Sequence, residues 1–106
     1  MNLVNGYSQE KIIILDPKDN VAVIKKDVKK GEMIIIDKEE FKNSIEVREN
    51  ISYRFKIALR DINIGEKIIK SGEVIGKAKE KIRKGDMVHV HNIEGLRGRG
   101  DLRNEK

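Results

Sequence analysis

Residues 61–68 read DINIGEKI, and the pattern of this stretch occurs three times in the chain. The pattern is an acidic residue, a β-branched residue, two variable residues, Gly, an acidic residue, one variable residue and a second β-branched residue. Residues 27–34 (DVKKGEMI) repeat all of it, and residues 81–88 (KIRKGDMV) lack only the first acidic residue. Because the copies start at unequal intervals, the repeat does not predict a solenoid. It predicts one compact fold that uses the same local device repeatedly.

Each copy predicts a tight turn followed by a strand. The Gly stands where such a turn needs a positive φ, the β-branched residue before it anchors the turn, and a strand begins two residues later. Only residues 38–43 have a helical pattern, which predicts one or two turns. The segments typical of strands are 11–15, 21–24, 33–36, 56–59, 67–69, 74–78 and 87–90.

The composition also favours strands. Ile and Val far outnumber Leu, hydrophobic residues are 38% of the chain, and aromatic residues are only 4%. β-branched side chains pack well on a pleated surface, and 106 residues have room for one domain with a modest core. We therefore predict a small all-β domain with short Gly turns over residues 1–95, followed by a basic, Gly-containing tail over residues 96–106.

Charge and cysteine content limit the classes of function. Charged residues make up 39% of the chain and the net charge is +5, but basic and acidic residues are interspersed, so this is weak evidence for an anionic partner. The absence of Cys excludes disulfides and thiol catalysis by this chain. No run approaches the roughly 18 apolar residues of a membrane span, and the first residues do not resemble a secretory signal. We expect a soluble, cytoplasmic protein with no membrane partner.

The ordered series of motifs resembles a known family. It resembles the SAF-type domain of the altronate and galactarate dehydratase family, which sulfolactate sulfo-lyase small subunits share. The resemblance runs from about residue 11 to residue 101. The stretches that carry it are 19–23 (DNVAV), 56–62 (KIALRDI), 65–66 (GE), 72–76 (GEVIG), 89–94 (HVHNIE) and 97–101 (RGRGD).

The resemblance implies a β-clip fold of the SAF or antifreeze-like type, and it implies a partner. In this family the domain heads a long chain or stands alone as a small subunit. The larger partner carries most of the machinery that eliminates water or sulfite from a 2-hydroxy acid. The cofactor implied is a divalent metal, iron(II) or manganese, held mainly by the partner. The sequence ends just after residues 97–101, which favours the separate small subunit, inactive alone.

Two histidines are the candidate catalytic residues. His89 and His91 lie two apart on a predicted strand, which would place both imidazoles on one face. They could transfer a proton or ligate a metal, although two ligands make an incomplete site and a third would have to come from a partner chain. The alternative is a pair of packing or surface histidines.

Further candidates would bind an acidic small-molecule substrate. The ammonium of Lys56, at the start of an apolar strand, is suited to hold a substrate carboxylate, and the alternative is a solvated Lys at a strand end. The remaining candidates are Asn92, Arg97 and Arg99. Phe55 is a departure from the family, whose members usually carry His at this position before the Lys. Arg60 and Asp61 are interpreted as parts of the turn device.

The main hypothesis is therefore the small subunit of a two-subunit hydro-lyase that dehydrates a sugar acid such as altronate. One alternative inside the family is a sulfolactate sulfo-lyase small subunit. Two others are a stand-alone module for acidic sugars and a basic nucleic-acid-binding protein. For the tail, docking to the large subunit is preferred over nucleic acid, because the tail has no aromatic residue for base stacking.

Overall fold

The computed structural model describes residues 6–95, and this part of the chain consists almost entirely of short antiparallel strands. The prediction of an all-β fold is confirmed. The helical segment in this range is one 3-10 turn, Glu39–Phe41, inside the predicted helical stretch. The strands are β1 (Tyr7–Ser8), β2 (Ile12–Ile14), β3 (Val21–Ile24), β4 (Met33–Ile36), β5 (Asn43–Glu46), β6 (Lys56–Ala58), β7 (Lys67–Lys70), β8 (Glu73–Ala78), β9 (Met87–Val88) and β10 (Ile93–Gly95).

Most predicted strands coincide with observed ones to within a residue at either end. The prediction of a strand over 87–90 is wrong after Val88, where the chain enters a turn. Three observed strands were not expected from the pattern, namely β1, β5 and β10. None of the helical segments in residues 6–95 is long and apolar enough to cross a membrane.

The strands form three antiparallel sheets. The largest has the order β1-β2-β3-β6-β9, the second β10-β8-β7, and the third is the ribbon β4-β5. The register between β6 and β9 pairs Lys56 with Val88 and Ile57 with Met87. This register matters for function because it determines which residue before β6 lies beside which residue after β9 at the end of the sheet.

Two apolar clusters cover the two faces of the central strands. On β6, Ile57 belongs to one cluster and Ala58 to the other, as expected when successive side chains of a strand point to opposite faces. On β3, Ala22 and Val21 divide in the same way. The clusters consist mainly of Ile and Val, so the β-branched composition fills both sides of a sheet.

The three Gly turns have nearly identical backbone geometry. Gly31, Gly65 and Gly85 have φ angles of 95°, 84° and 94°, in the region that favours Gly. In the second turn the N–H of Gly65 donates to the carbonyl of Ala78 at 2.9 Å, and the N–H of Ala78 donates to the carbonyl of Glu66 at 2.9 Å. The other two turns make the same pair of bonds, with Val47 and with Ala58.

The acidic residue after each Gly closes its turn. A carboxylate oxygen of Glu66 accepts the N–H of Asn63 at 2.9 Å, and the carboxylates of Glu32 and Asp86 accept the equivalent N–H groups at 2.9 Å and 2.8 Å. These bonds favour the ionised acid. The pKa of Glu66 is accordingly lowered, first by the Asn63 N–H and then by Arg60.

The turns allow a comparison of two Gly→Ala variants. Both Gly65→Ala and Gly85→Ala place a side chain at a positive φ, which costs about 1 kcal/mol. At Gly65 nothing lies within 4 Å of the added Cβ, but at Gly85 it would collide with the carbonyl oxygen of Glu46. We expect urea denaturation to show a loss of about 1 kcal/mol for Gly65→Ala and of more than about 2 kcal/mol for Gly85→Ala. Equal losses would contradict this packing.

Candidate functional site

The ends of β6 and β9 bring together residues that are far apart in the sequence. Lys56 pairs with Val88, so the preceding residue Phe55 lies beside His89, which follows Val88. The centroids of the Phe55 and His89 rings are 4.7 Å apart and the rings are tilted by 36°. His89 is partly buried and held by this contact, whereas His91 is exposed.

The two histidines occupy a turn and not a strand. The carbonyl of His89 accepts the N–H groups of Asn92 at 3.0 Å and of Ile93 at 3.1 Å. The argument that strand alternation places both imidazoles on one face therefore does not apply here. The predicted pair is nevertheless close in the chain, at the two ends of one short turn that projects beyond β9.

Asn92 holds this turn together from inside. Its side-chain oxygen accepts the N–H of His89 at 3.0 Å, and its side-chain nitrogen donates to the carbonyl of Met87 at 2.8 Å. The residue is buried, with 5% of its surface exposed. Both ends of the amide are thus engaged with the backbone, and the side chain fixes the position of the turn that carries the histidines.

Lys56 is the predicted site residue with the most unusual environment. It is half-buried in the central sheet, and its side chain makes no ion pair or hydrogen bond with another residue of the range 6–95. Burial lowers the pKa of Lys56 below its ordinary value, and the positive charge of Lys70 lowers it further. An anion would stabilise the charged form of Lys56 in this position, and neither β6 nor its neighbouring strands supply one.

The described residues do not form a metal site of their own. Within 6–95 no three side chains of His, Cys, Asp or Glu lie close enough to share an ion. His89 and His91 offer at most two ligands, and a stable site needs more. Residues 6–95 therefore do not fit the expected divalent metal by themselves.

Some of the residues named from the sequence lie outside the described range, and others stabilise the turns. Arg97, Arg99 and the predicted tail 96–106 are not described. Arg60 forms an ion pair with Glu66 at 2.7 Å, and a carboxylate oxygen of Asp61 accepts the N–H of Lys84 at 2.9 Å. The interpretation of Arg60 and Asp61 as parts of the turn device is confirmed.

A cleft of about 280 Å³ includes Arg60 in its lining but none of Lys56, His89, His91 and Asn92. Its charged groups are largely engaged: Lys42 pairs with Asp37 at 3.6 Å, and the carboxylate of Asp19 accepts three backbone N–H groups. We assign it no function. Its lining residues are Ile14, Pro17, Lys18, Asp19, Glu40, Phe41, Lys42, Asn43, Leu59 and Arg60.

The sequence did not single out the turn before Lys56. The N–H of Phe55 donates to the carbonyl of Ser52 at 3.1 Å, and this turn displays Tyr53 and Arg54. Arg54 has a φ of 83°, an uncommon angle for a residue with a side chain. The Gly-containing pattern does not include this turn because Arg54 occupies the position where the other turns have Gly.

Comparison with known proteins agrees with the motifs quoted above. A family profile described as the altronate/galactarate dehydratase SAF domain matches residues 10–96. The chain belongs to this family. The match includes β6, β9 and both turns of the candidate site.

Individual relatives match similar shares of this chain, but the relatives themselves differ greatly in length. An altronate dehydratase of Bacillus subtilis is 37% identical over 82 residues, covering 77% of this chain but only 16% of the relative. An altronate dehydratase of Escherichia coli is 36% identical over 74 residues, covering 70% of this chain and 14% of the relative. A (2R)-sulfolactate sulfo-lyase subunit alpha of Chromohalobacter salexigens is 33% identical over 89 residues, covering 80% of this chain and 94% of the relative.

The role of Asn92 in the SAF domain can be tested by stability. Asn92→Ala removes two hydrogen bonds and leaves the buried His89 N–H and Met87 carbonyl without partners, which should cost about 2 kcal/mol in urea denaturation. Asn63→Ala is the matched control, since its exposed side-chain oxygen accepts only from Lys81, and it should change stability by less than about 0.5 kcal/mol. A neutral Asn92→Ala variant would show that the turn does not depend on this amide.

Proposed function

We propose that this SAF domain is the small subunit of a lyase and completes the active site of a larger catalytic chain. The proposed reaction is the elimination of water from a sugar acid such as altronate. The observation that carries the proposal is the match to the family over nearly the whole described range. It is supported by a relative, called a subunit, whose length this chain covers to 94%.

The contribution we assign to Lys56 is to bind a substrate carboxylate. A half-buried ammonium with no carboxylate partner in residues 6–95 is a fixed positive charge at the end of a sheet. An anionic ligand would recover the electrostatic energy that burial removes. Lys70 adds to the positive potential at the same place, as its effect on the Lys56 pKa shows.

The contribution we assign to the histidines is proton transfer. Elimination from a 2-hydroxy acid needs a base for a carbon-bound proton and an acid for the leaving hydroxyl. His91 is exposed on its turn and is the proposed proton-transfer group, while His89 is held against Phe55 at 4.7 Å. Phe55 has no group that exchanges a proton, so on this side of the site we assign proton transfer to the histidines. Asn92 is assigned a positioning role.

A sulfolactate sulfo-lyase is the second candidate, and one observation favours it. Among the relatives described above, the sulfolactate sulfo-lyase subunit alpha is the one with a length similar to this chain. In that reaction sulfite, and not hydroxide, would leave. Lys56 and His91 would have the same roles, because both substrates are 2-hydroxy acids with a carboxylate and sulfolactate carries a sulfonate in addition. Both reactions give a keto acid, so the release of sulfite distinguishes them.

The first test of the proposal is assembly-dependent activity. The purified chain alone should not turn over aldonates, aldarates or sulfolactate with iron(II) or manganese, because it offers too few of the groups that elimination requires. Co-expressed with the larger lyase chain of the same organism, it should co-purify and restore turnover. Activity of this chain alone, with contamination excluded by mass spectrometry, would refute the subunit proposal. So would independent elution of the two chains at micromolar concentration.

The second test concerns Lys56 and His91 in the complex. Lys56→Met and His91→Ala should each reduce kcat/KM at least roughly tenfold without lowering the stability of the SAF domain. Lys30→Met, at an exposed turn Lys, is the control and should remain active.

The pH profile gives an independent readout for Lys56. Its pKa is lowered from 10.5, so it loses its proton, and substrate binding should weaken, at a lower pH than for an ordinary lysine. Lys56→Arg should move this alkaline fall to higher pH, because Arg stays charged. An unchanged profile would remove Lys56 from the site.

A further inference from the structure

The turn before Lys56 is a fourth copy of the Gly turn. In residues 50–57 (NISYRFKI) the N–H of Arg54 donates to the carbonyl of Ile24 at 2.8 Å, and the N–H of Ile24 donates to the carbonyl of Phe55 at 2.8 Å. This is the pair of backbone bonds that Gly65 and Glu66 make with Ala78 in the second turn. The φ of Arg54, 83°, equals that of Gly65, 84°, within a degree.

The four turns are joined in two reciprocal pairs, which confirms the equivalence. Val28 of the first turn and Ile51 of the fourth exchange two backbone hydrogen bonds of 2.9 Å. Ile62 of the second and Ile82 of the third exchange bonds of 2.8 Å and 2.9 Å. Tyr53 therefore corresponds to Ile64, and the positions of Arg54 and Phe55 correspond to Gly and the acidic residue.

The fourth copy departs from the repeat at the two positions that stabilise the others. Arg54 replaces the Gly although the backbone needs a positive φ, which is strained for any residue with a side chain. Phe55 replaces the acid, so no side chain closes the turn at the N–H of Ser52, as Glu66 does at Asn63. Within residues 6–95 this turn keeps the backbone of the repeat and its first-position bond, in which Asn50 accepts the N–H of Lys30 at 2.9 Å, but it has neither the Gly nor the closing acid. A strained backbone angle in one of the four turns indicates that the side chains of that turn have a function.

The side chains gained are those found at protein interfaces. The chain has two Tyr and two Phe; Tyr7 and Phe41 stack on each other at 5.8 Å, while Tyr53 and Phe55 are exposed to 55% and 36%. The guanidinium of Arg54 lies 5.1 Å from the centre of the Tyr53 ring. Tyr and Arg are enriched at the centres of interfaces, where they contribute most of the binding energy.

The neighbouring turn extends this surface. Phe55 contacts His89, and the next residue, Val90, is exposed to 69%. Residues 50–57 and 88–93 contain Arg, Lys and two His but no Asp or Glu. The nearby carboxylates of Asp27 and Glu49 are engaged with the backbone N–H groups of Tyr53 and Met87. These two carboxylates keep their negative charge, but Arg54 makes no ion pair with another residue of the range 6–95, so the complement of this surface is a carboxylate beside an apolar recess.

We propose that the turn of Tyr53, Arg54 and Phe55, together with Val90, is the docking surface for the larger lyase chain, an inference that rests on the proposed function. Arg54 pairs with a carboxylate of that chain, and Tyr53 and Val90 enter an apolar recess beside it. Docking here places Lys56 and the His89–Asn92 turn at the edge of the same interface, where a site shared by two chains has to lie.

The test compares binding and stability in matched variants. Tyr53→Ala and Arg54→Gly should each raise the dissociation constant for the purified larger lyase chain at least tenfold, as measured by calorimetry. Arg54→Gly should also raise the melting temperature of the isolated SAF domain by about 3 °C, since it relieves the strained φ. Ile64→Ala is the control: Ile64 holds the equivalent position in the second turn and is exposed to 69%, and its loss should leave binding within about twofold.

The outcomes separate this inference from the proposed function. If the wild type binds the larger chain and Tyr53→Ala and Arg54→Gly bind equally well, the docking surface is refuted and the subunit proposal stands. The same holds if Ile64→Ala weakens binding as much as Tyr53→Ala. A lower melting temperature for Arg54→Gly with unchanged binding would make Arg54 a structural residue. Failure of the wild type to bind refutes both.

Discussion

The fold depends on one pair of backbone hydrogen bonds that holds a turn with a positive φ against a strand. In each turn one residue both accepts from the turn and donates to it, as Ala78 does with Gly65 and Glu66; this residue lies in a strand in three turns and, as Val47, directly after β5 in the first. A domain whose described part has only one 3-10 turn as helix must satisfy its backbone through strands and turns. Four copies of the same hydrogen-bonded turn satisfy much of the backbone without long strands.

The reciprocal pairing of turns divides the molecule into two similar halves. Val28 and Ile51 lie in one apolar cluster, and Ile62 and Ile82 lie in the other. All four are essentially fully buried. Each pair of turns therefore supplies the centre of its own cluster, and the central strands β3 and β6 separate the two. The β-branched side chain at the second position of each turn is thus part of the core.

What the sequence could predict follows from how local each feature is. The strands after the Gly turns and the positive φ of each Gly depend on adjacent residues, and both are observed. Strand β5 was missed because Asn43–Glu46 has one buried apolar residue, Ile45, and obtains its pairing from the distant β4. The fourth turn was missed for a related reason: its conformation is fixed by backbone bonds to Ile24 and Val28, not by its own residue types. Of the site, Lys56 and the histidines could be located by motif, but the contact of Phe55 with His89 required the register of β6 and β9.

The distribution of charge links the fold to the site. Acidic residues of the first three turns are bound to backbone N–H groups, as Glu32, Glu66 and Asp86 show, and several also pair with a basic residue. These carboxylates stabilise turns, and the turn that precedes Lys56 has none of its own, although Asp27 of the paired turn accepts the N–H of Tyr53 at 2.7 Å. Phe55 stands where the other turns have the closing acid, so this turn adds no carboxylate next to Lys56 and Arg54 in the chain. The same substitution that weakens the turn thus preserves an attraction for anions, and a domain too small to enclose a substrate can still present a fixed positive charge to a site that another chain completes.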